Sequence, residues 1–216
     1  MQPSTPSIQL ESGFEIGYTD VLARFDRPVT LAGGTHFLLA RNGRGKTTLL
    51  RTLARSLKPL AGDFCLNGFI QYLPENLKFD AELPVSMIFR TLLPKARFRE
   101  ALDLAGRIEL DVKKTYGRLS TGNRRKTHLI VAEFSIRREA GNILLLDEPF
   151  SGLDAFARQA FEDIWHGSSA NVLRLVSCHP DYDAMPLPSA LMIEGKTAQH
   201  LNKDGQTWND LKTLLN

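Results

Sequence analysis

The chain has 216 residues, of which 43% are hydrophobic and 24% are charged, a composition typical of globular proteins. This composition excludes disorder along most of the chain, and the length suits one large domain or a core with a subdomain. The net charge of +3 is too small to indicate nucleic-acid binding by itself.

The positive charge is concentrated in one segment of the chain. Residues 88–141 contain 13 Lys or Arg against 6 Asp or Glu, so this segment carries +7 and the rest of the chain carries −4. We interpret the segment as a solvated helical face. The alternative is a surface for phospholipid head groups or for an acidic partner.

The sequence lacks the usual signals for secretion and for a membrane span. Its start contains no basic segment and no long apolar segment, and no apolar run reaches about 18 residues. If the protein works at a membrane, another polypeptide is expected to cross it. Cys65 and Cys178 each lie in or beside an apolar run, which predicts two buried, reduced thiols in a cytosolic protein.

The N-terminal third predicts several short strands, the last of which leads through a loop into a helix. Turn residues divide residues 8–40 into short strands, and the last of these, residues 36–40, is mostly apolar. A glycine-rich loop follows, and leucines at helical spacing predict a helix over residues 46–57. Residues 63–73 predict another strand, which ends at Pro74.

The rest of the chain alternates helices and strands. Helices are predicted over residues 84–107, divided at Pro94, then from the N-cap Ser120 to about residue 138, and over residues 154–164 and 208–215. Apolar strands are predicted over residues 142–146, 171–177 and 190–194. This alternation predicts an α/β fold with a mostly parallel sheet.

A phosphate-binding loop follows the strand that ends at Ala40. Residues 40–47 match the P-loop pattern at every position but the first. Such glycines let backbone N–H groups turn toward phosphate oxygens, and the next helix directs its positive end at them. Lys46 is expected between the β- and γ-phosphates, and the Thr47 hydroxyl is expected to ligate Mg²⁺. Ala40 replaces the usual glycine, at a cost of roughly 1 kcal/mol if that position requires a positive φ.

Four further motifs follow the phosphate loop in order. Leu119-Ser120-Thr121-Gly122-Asn123 opens a helix, and an apolar strand ends in Asp147 and Glu148. The sequence Ser151–Asp154 comes directly afterwards, and His179 follows the next strand. Two adjacent carboxylates at the end of a strand suit metal and water chemistry beside a phosphate loop. Over residues 8–195, the five motifs together resemble the nucleotide-binding domain of ABC (ATP-binding cassette) ATPases.

The resemblance implies one nucleotide-binding domain over residues 1–216. Its fold is a P-loop NTPase core with a mostly parallel sheet, an N-terminal antiparallel β part and a helical subdomain inserted at about residues 76–138. Its ligands are ATP and Mg²⁺. The family's catalytic roles fall on Glu148 and His179, and its Mg²⁺ ligands on Thr47, Glu75 and Asp147. The implied ATP-binding residues are Tyr18, Ala40, Arg41, Asn42, Gly43, Arg44, Gly45, Lys46, Thr47 and Thr48, with Ser120, Thr121 and Gly122 acting in trans on the ATP of an opposing subunit.

Two of these roles have structural alternatives. Tyr18 is the expected ring against adenine, with Phe14 and Phe25 as rivals, although aromatic residues here are often part of the core. The alternative for Ser120 is that it serves only as the N-cap of a helix and does not contact ATP.

The sequence departs from the family pattern at Glu75, where a glutamine is normal. A carboxylate still ligates Mg²⁺, and more strongly, but it adds negative charge near Glu148 and the phosphates. We therefore expect Glu75 to change the Mg²⁺ dependence of hydrolysis or to slow turnover. Steady-state rates of the wild type and Glu75→Gln across a Mg²⁺ titration test this, and identical curves would contradict it. Thr121 and Asn123 also depart from the family's usual signature, LSGGQ, but both remain small and polar.

The resemblance implies hydrolysis of ATP to ADP and phosphate by a head-to-tail dimer with a second ABC subunit, as a homodimer or heterodimer. The expected role is to power an ABC transporter, with export favoured, from the cytoplasmic side of the cell membrane. An integral membrane subunit is then required, and the apolar residues between Leu83 and Leu93 are either its docking groove or helix core.

The first alternative is a non-transport ABC ATPase acting on nucleic acid or ribosomes. However, the coiled-coil insert, second cassette or basic linker usual in that class is not seen, and no nucleic acid is expected. The second alternative is a regulatory subunit that binds ATP but barely hydrolyses it, against which Glu148 argues.

Overall fold

The computed structural model describes residues 5–137, 139–167, 170–178 and 185–215. The chain forms two compact units. The first, which we call the sheet unit, comprises the chain up to Pro74, residues 138–148 and the chain from residue 169 onward. The second, the helical unit, comprises residues 75–137 and 149–168.

The sheet unit holds eleven strands and two helices in its described part. The helices are α1, Lys46–Leu53, and α6, Trp208–Lys212. The strands are β1 Ser7–Leu10, β2 Phe14–Gly17, β3 Val21–Phe25, β4 Val29–Ala32, β5 Gly34–Ala40, β6 Phe64–Asn67, β7 Phe69–Leu73, β8 Asn142–Asp147, β9 Val172–Ser177, β10 Ser189–Glu194 and β11 Thr197–Asn202.

The strands form two sheets. An eight-stranded sheet has the order β2-β3-β11-β10-β5-β9-β8-β7, and its members from β10 to β7 run parallel. The order β4-β1-β6 forms a separate antiparallel sheet. The predicted α/β fold, with a mostly parallel core and an N-terminal antiparallel part, is confirmed. Because β5, β9 and β8 are parallel neighbours, their carboxyl ends meet at one edge of the sheet.

Apolar burial fixes the central strands in this arrangement. Every residue of β8 and β9 is buried, which is why both segments appear in the sequence as nearly continuous apolar runs. Helix α1 packs Leu49, Leu50 and Leu53 into the same core, and none of the three is exposed to solvent. The element that follows the phosphate loop is therefore anchored by its apolar face.

The helical unit contains four helices in its described part: α2 Val85–Leu92, α3 Phe98–Arg107, α4 Thr121–Phe134 and α5 Ala155–His166. Pro94 lies between α2 and a short 3₁₀ turn before α3, as predicted. Ser120 is the N-cap of α4, and its hydroxyl accepts a bond from the Asn123 N–H at 3.3 Å. Asp154 caps α5 by accepting a bond from the Ala157 N–H at 2.7 Å.

Several element bounds differ from the sequence prediction. Residues 63–73 form two strands in different sheets, because the chain turns at Gly68 with φ 140°. Helix α1 ends at Leu53, shortly before Arg55 takes a positive φ of 58°. Strand β11 was not predicted, and α6 is shorter than expected, ending at Lys212.

The prediction that Cys65 is buried is wrong. Cys65 is exposed, whereas Cys178 is buried as expected. Strand β6 lies at the edge of the three-stranded sheet, and its side chains alternate between half-buried and exposed positions. Phe64 and Leu66 pack against the core, so Cys65 falls on the opposite face. None of the described helices is long and apolar enough to cross a membrane.

Candidate nucleotide-binding site

The phosphate loop runs from the end of β5 at Ala40 to the start of α1 at Lys46. Gly43 and Gly45 have φ values of 76° and 102°, in the region that disfavours other residues. Gly45 is the N-cap of α1, and a Cβ there would lie 3.3 Å from the Leu22 Cβ. The loop thus needs glycine at Gly45 both for its backbone angle and for its close packing.

The side chains of the loop divide into exposed and buried groups. Lys46 and Thr48 are buried, and Thr47 is half-buried. The Thr48 carbonyl accepts a bond from the Thr52 hydroxyl at 2.8 Å, within α1. Of the other predicted ATP-binding residues of the loop, Ala40 and Gly45 are buried, and the exposed ones are Arg41, Asn42, Gly43 and Arg44.

Ala40 does not carry the strain that its replacement of glycine suggested. It is the last residue of β5, pairs in register with Ile193 of β10, and is not among the residues with positive φ. Since alanine is compatible with a strand conformation, the expected cost does not arise.

Lys46 connects the phosphate loop to the end of β8. Its ammonium donates a bond to the Ala40 carbonyl at 3.2 Å. It also lies 3.5 Å from the Glu148 Oε1, and the Lys46 and Glu148 side chains are 8% and 17% exposed. Two groups of opposite charge, an ammonium and a carboxylate, therefore share one partly desolvated site.

The two carboxylates at the end of β8 are held by the neighbouring strand. Asp147 is 1% exposed, and its Oδ1 accepts a bond from the Ser177 hydroxyl at 2.8 Å. The Glu148 N–H donates to the same hydroxyl at 2.9 Å. Ser177 was not among the residues predicted from the sequence. As the last residue of the strand beside β8, it could have been found only by knowing that Asp147 and Ser177 pair in register.

A tyrosine from β7 also lies beside Asp147. The Tyr72 hydroxyl lies 3.5 Å from the Asp147 Oδ2. Burial, followed by the charge of Asp147, raises the pKa of Tyr72, so this hydroxyl stays protonated and donates. Hydrogen bonds to Tyr72 and Tyr18 in turn raise the pKa of Arg51 on α1.

The residues present fit a magnesium ion held together with a triphosphate. Thr47 supplies a hydroxyl in the first turn of α1, and Asp147 supplies a buried carboxylate. Mg²⁺ in such sites takes one or two protein oxygens and completes its shell with phosphate oxygens and waters. Glu75 is exposed and belongs to the helical unit, and its carbonyl accepts a bond from the Arg125 Nη2 at 3.0 Å. Its role as a metal ligand remains a prediction.

The three aromatic candidates for the adenine contact differ in exposure. Phe14 and Phe25 are wholly buried, with their ring centroids 5.5 Å apart in the core of the sheet unit. Tyr18 is 59% exposed, and its hydroxyl lies 3.5 Å from the Arg51 Nη1. Of the three, Tyr18 alone has a ring surface available for stacking.

Tyr18→Ala is expected to weaken ATP binding by roughly 5- to 30-fold, because stacking of a base on an aromatic ring contributes about 1–2 kcal/mol. Tyr18→Phe keeps the ring and should bind ATP within about threefold of the wild type. Calorimetric titration with ATP and with inorganic tripolyphosphate separates the base from the phosphates.

Phe156→Ala is the matched control, since this ring is 65% exposed but lies on α5. An equal loss of tripolyphosphate and ATP affinity in Tyr18→Ala would exclude the stacking role.

The segment predicted to act in trans opens α4 of the helical unit. Ser120 and Thr121 are exposed. Gly122 packs so closely within the unit that a Cβ there would lie 2.5 Å from the Gly152 carbonyl oxygen. Glycine is therefore required at this position for packing alone, and contacts to a second ATP remain a prediction. His179 lies outside the described residues.

Comparisons with known proteins agree on one family. The family model described as ABC transporter matches residues 30–151. The cytochrome c biogenesis ATP-binding export protein CcmA of Novosphingobium aromaticivorans is 36% identical over 131 residues, which cover 57% of this chain and 62% of that protein. The taurine import ATP-binding protein TauB of Pseudomonas savastanoi is 29% identical over 191 residues, covering 77% of this chain and 70% of that protein.

A solved structure described as the ATP binding subunit of an ABC transporter superposes with a TM-score of 0.74. It covers 98% of this chain and 99% of that chain at 19% identity, which shows the fold alone. The aligned region spans less than two thirds of the CcmA protein's own length.

Proposed function

The chain belongs to the ABC transporter family as a nucleotide-binding subunit, and we propose that it hydrolyses ATP to ADP and phosphate to power a transporter. The observation that carries this proposal is the meeting of Lys46 and Glu148, 3.5 Å apart, where the phosphate loop and β8 end. A phosphate-binding cation and a candidate general base thus stand beside the same reacting group. We further propose that the two units together form one nucleotide-binding domain.

The proposed chemistry depends mainly on positioning and on neutralising charge. Lys46 and the backbone N–H groups at the start of α1 offset the negative charge of the triphosphate. Glu148 orients the attacking water and accepts its proton, and His179 contacts the same water. Thr47 and Asp147 would hold Mg²⁺, which would supply further charge neutralisation for the phosphate oxygens.

A second subunit completes the site in this proposal. Ser120, Thr121 and Gly122 of one subunit contact the γ-phosphate bound by the other, so ATP holds the dimer together and hydrolysis releases it. The γ-phosphate is then the ligand that biases a two-state equilibrium.

The proposed partner is an integral membrane subunit, which places this chain at the inner face of the cell membrane. Export is the direction we propose, in keeping with the similarity to CcmA, whose name describes an export protein. The chain is also similar to TauB, which is named as an import protein. Transport assays are therefore needed to determine the direction of transport.

Isolation of the native complex from detergent-solubilised membranes tests the transport role. The tagged chain is expected to co-purify with a membrane-spanning protein, and ATP hydrolysis should require both. Recovery with ribosomes or nucleic acid, with an affinity that falls steeply as salt rises, would support the non-transport alternative instead.

A further inference from the structure

We propose that Ser177 is a positioning residue that holds the metal-binding Asp147 and the catalytic Glu148 in one fixed arrangement. The inference rests on the proposed ATPase function and extends it to a residue outside the motifs that identify the family. It concerns one hydroxyl group, which is bonded to both residues at once.

The position of Ser177 in the sheet places it directly against the carboxylate pair. It is the last residue of β9, is wholly buried, and pairs in register with Asp147 at the end of β8. No backbone segment separates the two strands, which are adjacent in the sheet. The contact with Asp147 therefore joins two strands of the core, and Glu148 directly follows one of these strands.

The two hydrogen bonds are compatible with a single hydroxyl. The Ser177 O–H donates to the Asp147 Oδ1 at 2.8 Å, and its oxygen accepts the Glu148 N–H at 2.9 Å. A serine hydroxyl carries one donor and two acceptor sites, so neither bond competes with the other. Replacing serine by alanine would remove both bonds together and leave the Glu148 N–H without this acceptor.

The bond to Asp147 limits rotation of a carboxylate that is expected to face a metal ion. The hydrogen bond from the Tyr72 hydroxyl to the Asp147 Oδ2 is longer, at 3.5 Å. The usual distance for an O–H···O hydrogen bond is about 2.5–3.0 Å, so this longer contact is weaker. In the part of the chain that the structure describes, Ser177 therefore holds Asp147 more strongly than Tyr72 does.

The bond to Glu148 supports an unusual backbone conformation. Glu148 has φ 46°, a left-handed value that is uncommon for a residue with a side chain. Such strained residues persist where surrounding contacts hold them, and they occur often at active sites. This turn directs the Glu148 side chain toward the Lys46 ammonium, so holding its N–H also fixes where the carboxylate points.

The test compares Ser177→Thr with Ser177→Val, two side chains of nearly the same shape that differ in the hydroxyl. Each variant is titrated calorimetrically with a slowly hydrolysed ATP analogue at a series of Mg²⁺ concentrations. The quantity compared is the Mg²⁺ concentration at which the nucleotide affinity has risen by half of its full increase. Ser177→Val is expected to require roughly 10- to 100-fold more Mg²⁺ and to lose kcat by a similar factor, as hydrogen bonds to charged groups usually contribute. Ser177→Thr should remain within about threefold of the wild type.

Two controls separate positioning from a general loss of structure. Nucleotide affinity in the presence of a chelator should be equal in all variants, because the phosphate loop itself is unchanged. Ser189→Ala removes another buried hydroxyl of the sheet unit, which lies 2.6 Å from the His36 Nδ1 and 2.8 Å from the His200 Nε2. It is expected to lower thermal stability without changing the Mg²⁺ dependence.

The outcomes distinguish this inference from the proposed function. If the wild type shows Mg²⁺-dependent binding and hydrolysis but Ser177→Val and Ser177→Thr behave alike, the positioning role of Ser177 is wrong. If the wild type itself neither binds nor hydrolyses ATP, the proposed function fails first. If Ser177→Val does not fold, Ser177→Ala is compared with the wild type in the same titration, and equal Mg²⁺ requirements overturn the inference.

Discussion

Replacing Glu148 with glutamine should lower kcat for ATP hydrolysis by about 100- to 1,000-fold, the usual contribution of a general base. Glutamine keeps the size of the side chain but cannot accept the proton of the attacking water. ATP affinity should change little, since binding depends on the phosphate loop. Because the bound ATP then persists, the variant should also accumulate as a dimer in the presence of Mg²⁺ and ATP.

Phosphate release and light scattering at increasing ATP measure both effects. Glu15→Gln is the matched control, because Glu15 forms an ion pair with Arg24 at 3.4 Å and is 19% exposed, close to the 3.5 Å and 17% of Glu148. The control should hydrolyse ATP at the wild-type rate. A Glu148→Gln variant that retains more than a tenth of the wild-type kcat would exclude Glu148 as the base.

The Lys46→Ala variant should bind ATP about 100-fold more weakly than the wild type. The ammonium contacts phosphate oxygens in a partly desolvated site, where truncating one member of a charged pair costs about 2–5 kcal/mol. The change also removes the contact with Glu148, so the folded fraction must be checked by thermal unfolding.

Lys126→Ala provides the control for losing a buried lysine. Lys126 is 6% exposed, and its ammonium lies 2.8 Å from both the Ile108 carbonyl and the Asp154 Oδ2. It belongs to the helical unit, so its loss should lower stability while ATP affinity stays within about threefold. Equal ATP affinity in Lys46→Ala and in the wild type would show that the phosphate loop does not bind the triphosphate through Lys46.

The elements that were predictable from the sequence are those with a strong local signal. The apolar runs of β8 and β9, the glycines of the phosphate loop and the N-cap Ser120 each depend on neighbouring residues in the chain. Local patterns of this kind place the motifs on the correct strand ends and helix starts.

The features that were missed depend on pairing between distant parts of the chain. Ser177 becomes a site residue only because β9 lies beside β8 in register. The exposure of Cys65 follows from the position of β6 at a sheet edge, which its composition does not reveal. The strain expected at Ala40 was inferred from a family pattern, whereas the backbone there is an ordinary strand.

Calorimetric titration of the purified wild-type chain with Mg²⁺ and ATP tests the central claim, that the phosphate loop binds a triphosphate. We expect saturable heat with one nucleotide per chain, and a large loss of affinity in Lys46→Ala under the same conditions. A folded wild-type chain that produces no binding heat, together with a Lys46→Ala variant that behaves identically, would contradict it.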